Sequence, residues 1–168
     1  MSRTWATALA AAGVALLAAP AGFRPVPSGV GTTSGGRGVV RHMTTSKPVK
    51  VPNEQHPITV TAQGQHVVAT VGGRVIADTR SALTLQESTY PAVQYIPRAD
   101  VDFTLLERSS HETYCPYKGD ASYYSIRAGE TSADNAVWTY EQPYDAVADI
   151  KDHVAFYPNI VDVQVRED

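Results

Sequence analysis

Residues 67–77 alternate with a period of two across a pair of glycines, and this pattern most narrows what the chain can fold into. In Val67-Val68-Ala69-Thr70-Val71, positions 67, 69 and 71 share a face. Gly72-Gly73 offers a two-residue turn that tolerates positive φ, and Val75 and Ala77 resume the alternation on a return strand. A helix repeats every 3.6 residues and does not fit this spacing. Further strands are expected at 83–85, at 93–96 where Pro97 ends the run, and at 122–127, 136–140, 153–157 and 161–165. Only Asp145 to Asp152 reads as a helix, of about two turns, with Asp145 as its N-cap and Val147 and Ile150 on one side. Many short strands divided by Gly and Pro turns predict a mainly β fold, a sandwich or barrel with one short helix.

The first 42 residues do not share this character. Four of the chain's 14 basic residues and none of its 17 acidic ones lie before Met43, which leaves residues 43–168 with a formal charge of −7. Two readings compete for the leader. In one, Arg3 opens a secretory signal, Trp5 to Ala19 forms its apolar stretch, and Ala19-Pro20-Ala21 is the cleavage motif. The apolar stretch is too short for a membrane span, which takes about 20 residues. In the other, Met43 is the true start, since the Ala, Gly, Pro and Arg bias of residues 6–41 is what GC-rich DNA read as protein would produce. A single cysteine forms no intrachain disulfide, and a free thiol suits the cytoplasm. Residues 43–168 are then one β-rich cytoplasmic domain, with secretion the alternative if residues 1–21 are a true signal. The acidic balance argues against binding of a phosphate backbone, which calls for a basic stripe, so no nucleic-acid partner is expected.

The segment Tyr114-Cys115-Pro116-Tyr117-Lys118-Gly119-Asp120-Ala121-Ser122-Tyr123-Tyr124 gathers the only cysteine, a lysine, an aspartate and four tyrosines. A turn needs only its Pro and Gly. Three more segments stand out: Tyr95-Ile96-Pro97-Arg98-Ala99-Asp100-Val101, Ala136-Val137-Trp138-Thr139-Tyr140 and His153-Val154-Ala155-Phe156-Tyr157-Pro158. Together these segments closely resemble a bacterial family known as domain of unknown function 427. The resemblance implies a β-tent-like fold of two small antiparallel sheets, related to zinc-bearing modules such as the ligand-binding domain of cereblon and methionine sulfoxide reductase B. It implies that members begin near Thr44-Thr45-Ser46-Lys47-Pro48 without a signal, and it places Lys118 in a shared motif. A nucleotidyltransferase-like label is also attached to the family, yet the chain lacks the glycine-rich loop and paired carboxylates of that chemistry.

Zinc is not expected, because Cys115 stands alone and His42, His56, His66, His111 and His153 show no ligand spacing. No cofactor is expected either. Cys115 is a candidate nucleophile if His111 or Lys118 lowers its pKa, against the commoner reading of a small buried hydrophobe. Four residues apart on a strand, His111 and Cys115 share a face. His153, after the expected helix, is a candidate acid or base favoured in its charged form by the helix dipole. Arg98 and Asp100 follow Pro97 and either clamp a polar or anionic ligand, with Lys118 as a second cation, or form a plain surface pair. Nine tyrosines against three phenylalanines fit a half-wet, aromatic-walled pocket better than a dry core. Tyr95, Tyr123, Trp138 and Tyr157 are its expected walls. The preferred function is therefore binding of a small polar or anionic molecule, and the alternative is an enzyme using Cys115 or Lys118 as nucleophile with His111 or His153 as proton carrier.

Overall fold

Strands form where β-branched and aromatic residues concentrate. A computed structural model describes residues 46–166, so the readings of residues 1–42 lie outside the described residues. The strands are β1 (Ile58–Ala62), β2 (His66–Val71), β3 (Arg74–Thr79), β4 (Leu83–Glu87), β5 (Val93–Pro97), β6 (Leu106–Cys115), β7 (Gly119–Ala128), β8 (Thr131–Thr139), β9 (His153–Phe156) and β10 (Asp162–Arg166). Seven form one antiparallel sheet in the order β1-β4-β5-β9-β8-β7-β6, and β10-β2-β3 form a second. The fold is mainly β, with two antiparallel sheets and no closed barrel.

The glycine turn is as expected. Gly72 and Gly73 have φ of 55° and 77°, the positive values that the tight hairpin turn requires at both central positions. The phase of the return strand is not. Ala69 pairs with Ala77 but Thr70 with Val75, so Ile76 is an extra residue in a β-bulge. Ile76 turns into the core at 1% exposure, while Val75, expected on the buried face, is 51% exposed.

The expected helix is also corrected. Asp145–Ile150 is a 3-10 element, kinked at Val147, where φ is −134° and ψ is 28°. Its N-cap position is Tyr144 rather than Asp145, and no side chain caps it. Residues three apart eclipse in such turns, which is how Val147 and Ile150 are both buried as anticipated. The edge strands β1 and β6 were not among the expected ones, although Ile58-Thr59-Val60-Thr61 in β1 alternates apolar and polar β-branched residues and was readable. Each has one neighbour, and β6 is largely polar and exposed.

The seven-stranded sheet is covered on both faces. On one, Ile96, Tyr124, Ile126, Val137, Val154 and Phe156 pack against β2 and β3 of the small sheet. A bridge from Ala77 to Val101 and a 2.8 Å bond from the Asp102 N–H to the Ile76 carbonyl tie the small sheet down. On the other face, Leu85, Tyr95, Ala121, Tyr123, Tyr140 and Ala155 pack with Val147 and Ile150. The large sheet is rolled around this second cluster. Lys118, at the turn into β7, bonds to Glu87 at the end of β4. Four strand spacings separate β4 from β7, roughly 19 Å if the sheet were flat. No lysine reaches that far, so the curl brings these strand ends together.

The turn gives a test. A Cβ on Gly73 meets nothing within 4 Å, whereas one on Gly72 lies 2.3 Å from Thr131 Oγ1. Gly73→Ala should cost only the left-handed backbone penalty of about 1–2 kcal/mol, and Gly72→Ala more. Urea unfolding checks the order; equal losses would contradict the Thr131 contact.

Candidate functional site

Period-two alternation along β7 sends Tyr123 to the inside of the rolled sheet and Tyr124 to the opposite face. Tyr123 lies opposite Trp138, which lies opposite Ala155 on β9. Trp138 donates its Nε1–H to the Tyr95 hydroxyl at 3.2 Å, with the two rings edge to face at 6.4 Å. Tyr157 sits beside Trp138 with ring centroids 4.7 Å apart. Tyr123 shares a 2.8 Å hydrogen bond with Thr113, and the His111 ring meets the Tyr123 ring at 4.6 Å. Cys115 packs half-buried against the same cluster.

Three phenols of this face are held more firmly protonated than usual. Burial raises the pKa of Tyr95 and Tyr140, and it pushes Tyr157 up to about 12 with help from Tyr123. At neutral pH each is therefore an uncharged donor and acceptor. Tyr95, Tyr123 and Tyr140 are buried, while Trp138 and Tyr157 are half-buried and His111 is exposed. The polar rim thus lies toward Trp138, Tyr157 and His111.

Lys118 reaches into this region but carries no free charge. Its side chain, 6% exposed, pairs through the ammonium with Glu87, which also meets His56 Nε2 at 2.8 Å. The His56 ring in turn stacks on Tyr117 at 4.1 Å and an angle of 9°. Burial alone would raise the Glu87 pKa, but the hydrogen bonds and charges of Lys118 and His56 hold its carboxyl below the ordinary value of 4.5. The rest of the central motif is clasped from outside. Tyr114 donates its hydroxyl to the Pro48 carbonyl at 2.6 Å and contacts Tyr144, and Asp120 pairs with Lys47.

The expected binding residues therefore divide. Tyr95, Tyr123, Trp138, Tyr157 and Lys118 gather on the inner face. Arg98 and Asp100 do not join them. They form a 3-10 turn after β5, where Asp100 accepts a 2.5 Å bond from Thr79 rather than pairing with Arg98. Arg98 donates to the Tyr124 hydroxyl at 3.0 Å on the opposite face.

The residues of the enzyme reading sit on or beside the inner face. No side-chain hydrogen bond joins Cys115 to His111, His153 or Lys118 among the described residues. His153 opens β9 and donates Nδ1–H to the Lys151 carbonyl at 2.7 Å. It follows Asp152, whose φ is 60°, and a kinked 3-10 turn. The α-helix dipole expected to favour its charged form is therefore not there. No group of three or more His, Cys, Asp or Glu side chains among the described residues is arranged to hold a metal ion.

Glu87 and Thr113 were missed in the sequence. Glu87 had a readable signal, since Leu83, Leu85 and Glu87 share a strand face and the last is an acid on an apolar side. Thr113 had none, lying in a polar edge strand.

Two surface clefts, of about 330 and 410 Å³, are walled by Val49, Lys50 and Tyr144 and by Lys47, Asp120 and Glu141 among others. Neither includes the inner aromatic rings. No helix among the described residues is long and apolar enough to cross a membrane.

Fold and site thus define a small, mainly β domain whose larger sheet curls around a tyrosine-rich face. Residues 59–167 match the family described as a domain of unknown function (DUF427), and the chain belongs to that family. No curated protein matches it.

The Lys118–Glu87 pair is testable through stability. Glu87→Gln should cost about 3–5 kcal/mol at neutral pH, because the buried Lys118 charge loses its partner, and Lys118→Met less, because Glu87 keeps His56. The double replacement Lys118→Met/Glu87→Leu should recover much of that loss. The Glu87 carboxyl has a lowered folded pKa, so its contribution is complete above its unfolded value of 4.5 and is lost as pH falls through the folded one. Chemical denaturation at several pH values should show the gap between wild type and Glu87→Gln closing on acidification; a gap that widens would refute the assignment.

Proposed function

We propose that this domain binds a small polar molecule with a flat ring at the rim of its inner aromatic face. The observation that carries the proposal is the Trp138–Tyr157 pair, half-buried with centroids 4.7 Å apart and bordered by the Tyr123–Thr113 and Tyr123–His111 contacts. A dry core has no need for so many phenols, each of which requires a hydrogen-bond partner once buried. Here uncharged hydroxyls alternate with ring faces, which suits a ligand with both a flat apolar body and polar edges. Lys118 is neutralised by Glu87, so this face favours a neutral or weakly cationic ring over an anion. The lone half-buried thiol of Cys115 is consistent with a reducing cytoplasm.

Tryptophan emission tests the proposal. The chain has two tryptophans, so a Trp5→Phe variant reports on Trp138 alone. Titration with adenosine and a panel of neutral heterocycles should give at least one saturable quench. Tyr157→Ala should weaken that binding up to about tenfold, the loss of one ring contact of about 0.5–1.5 kcal/mol. A panel that leaves Trp138 emission unmoved, or binding indifferent to Tyr157, would overturn it.

A further inference from the structure

On the opposite face of the large sheet, two arginines converge on one phenol. Arg98 and Arg108 each donate an Nη1–H to the Tyr124 hydroxyl, at 3.0 and 3.3 Å. Their guanidinium carbons lie 5.5 and 5.3 Å from the Tyr124 ring centre, and Arg98 also stacks 4.5 Å above Phe103. Arg108 is paired with Glu141 at 2.6 Å. Arg98 has no carboxylate at ion-pair distance among the described residues. Two positive charges thus meet over one negative one.

The hydrogen-bond count points the same way. The two arginine N–H groups occupy both lone pairs of the Tyr124 oxygen, which leaves the phenol its own hydrogen to donate. No acceptor for that hydrogen occurs among the described residues. Arg98 spends a single N–H of its donor fork on Tyr124. Phe103 and Tyr124 hold the Arg98 guanidinium plane in place, so little side-chain freedom remains to be lost on binding. Like charges held together on a rigid aromatic support are unfavourable unless an anion joins them.

We propose that Arg98, Arg108 and Tyr124 form a binding site for a tetrahedral oxyanion, a phosphate group either free or carried as a monoester. The Arg98 fork and the unspent donors of Arg108 grip two of its oxygens, as guanidinium groups pair with phosphate. Glu141 already presents a carboxylate to Arg108 and acts as a built-in competitor. The site lies across the sheet from the aromatic rim and does not depend on it.

Isothermal titration of the full chain with inorganic phosphate at low ionic strength tests this, with glycerol phosphate, sulfate and acetate as parallel arms. Phosphate should bind saturably, one per chain. Arg98→Gln and Arg108→Gln should each weaken it at least tenfold. Glu141→Gln should tighten it several-fold, an effect that a merely structural ion pair would not produce. Arg127→Gln, which disturbs an arginine already paired with Glu107 and Asp134, should leave it unchanged. Tighter binding of glycerol phosphate than of phosphate would identify a monoester ligand, and the reverse the free ion. Backbone amide shifts of the wild-type chain on adding phosphate should cluster around residues 98, 103 and 108, which keeps the test open should a variant not fold. Absence of saturable binding, shifts mapping elsewhere, or a Glu141→Gln variant that binds no better would overturn the proposal.

Discussion

The alternation of β7 organises the molecule. Between Gly119 and Ala128 almost every side chain is buried, on one face or the other, because a second sheet covers one side and the curled large sheet closes over the other. A strand in that position cannot slip by one residue without exchanging its two sets of side chains. Tyr123 is thereby committed to the inner aromatic cluster and Tyr124 to the arginine pair. Two adjacent tyrosines of one motif end up in separate environments, with the sheet between them.

The curl of the large sheet depends in turn on contacts at its rim. Lys118 and Glu87 join the β6–β7 turn to the end of β4, with His56 and Tyr117 packed alongside. Such a pair contributes little net stability, since desolvating two charges offsets most of their attraction. It is more telling as a specification of shape, because only the rolled sheet brings these residues within reach. The same contact neutralises the Lys118 charge beside the aromatic face.

Much of this was legible from residue order alone. The hairpin at Gly72-Gly73 and the strands built on apolar runs were readable because alternation and turn chemistry are local. Tyr95, Tyr123, Trp138 and Tyr157 stood out by their aromatic character, but that they meet depends on which strands pair across the sheet. The Val75 phase was not legible, because a bulge inserts one residue without any mark in the sequence. Nor was the polar edge strand β6, whose position demands no apolar alternation, whereas the alternating Ile58-Thr59-Val60-Thr61 run of β1 was readable and overlooked. The helix from Asp145 became a kinked 3-10 turn, since a segment this short takes its geometry from the core that buries Val147 and Ile150.

The sequence by itself determined the fold class, the hairpin and the family, all of which rest on residues near one another in the chain. The tertiary structure alone decided the pairings. Lys118 stands two residues from Asp120 in sequence, yet its partner is Glu87, 31 residues away. Arg98 stands two residues from Asp100, yet it lies on Tyr124 beside Arg108. The physical reason is that a charged side chain pairs with whatever the sheet curvature brings within a few ångströms, and curvature is a property of the whole packed sheet rather than of any one strand.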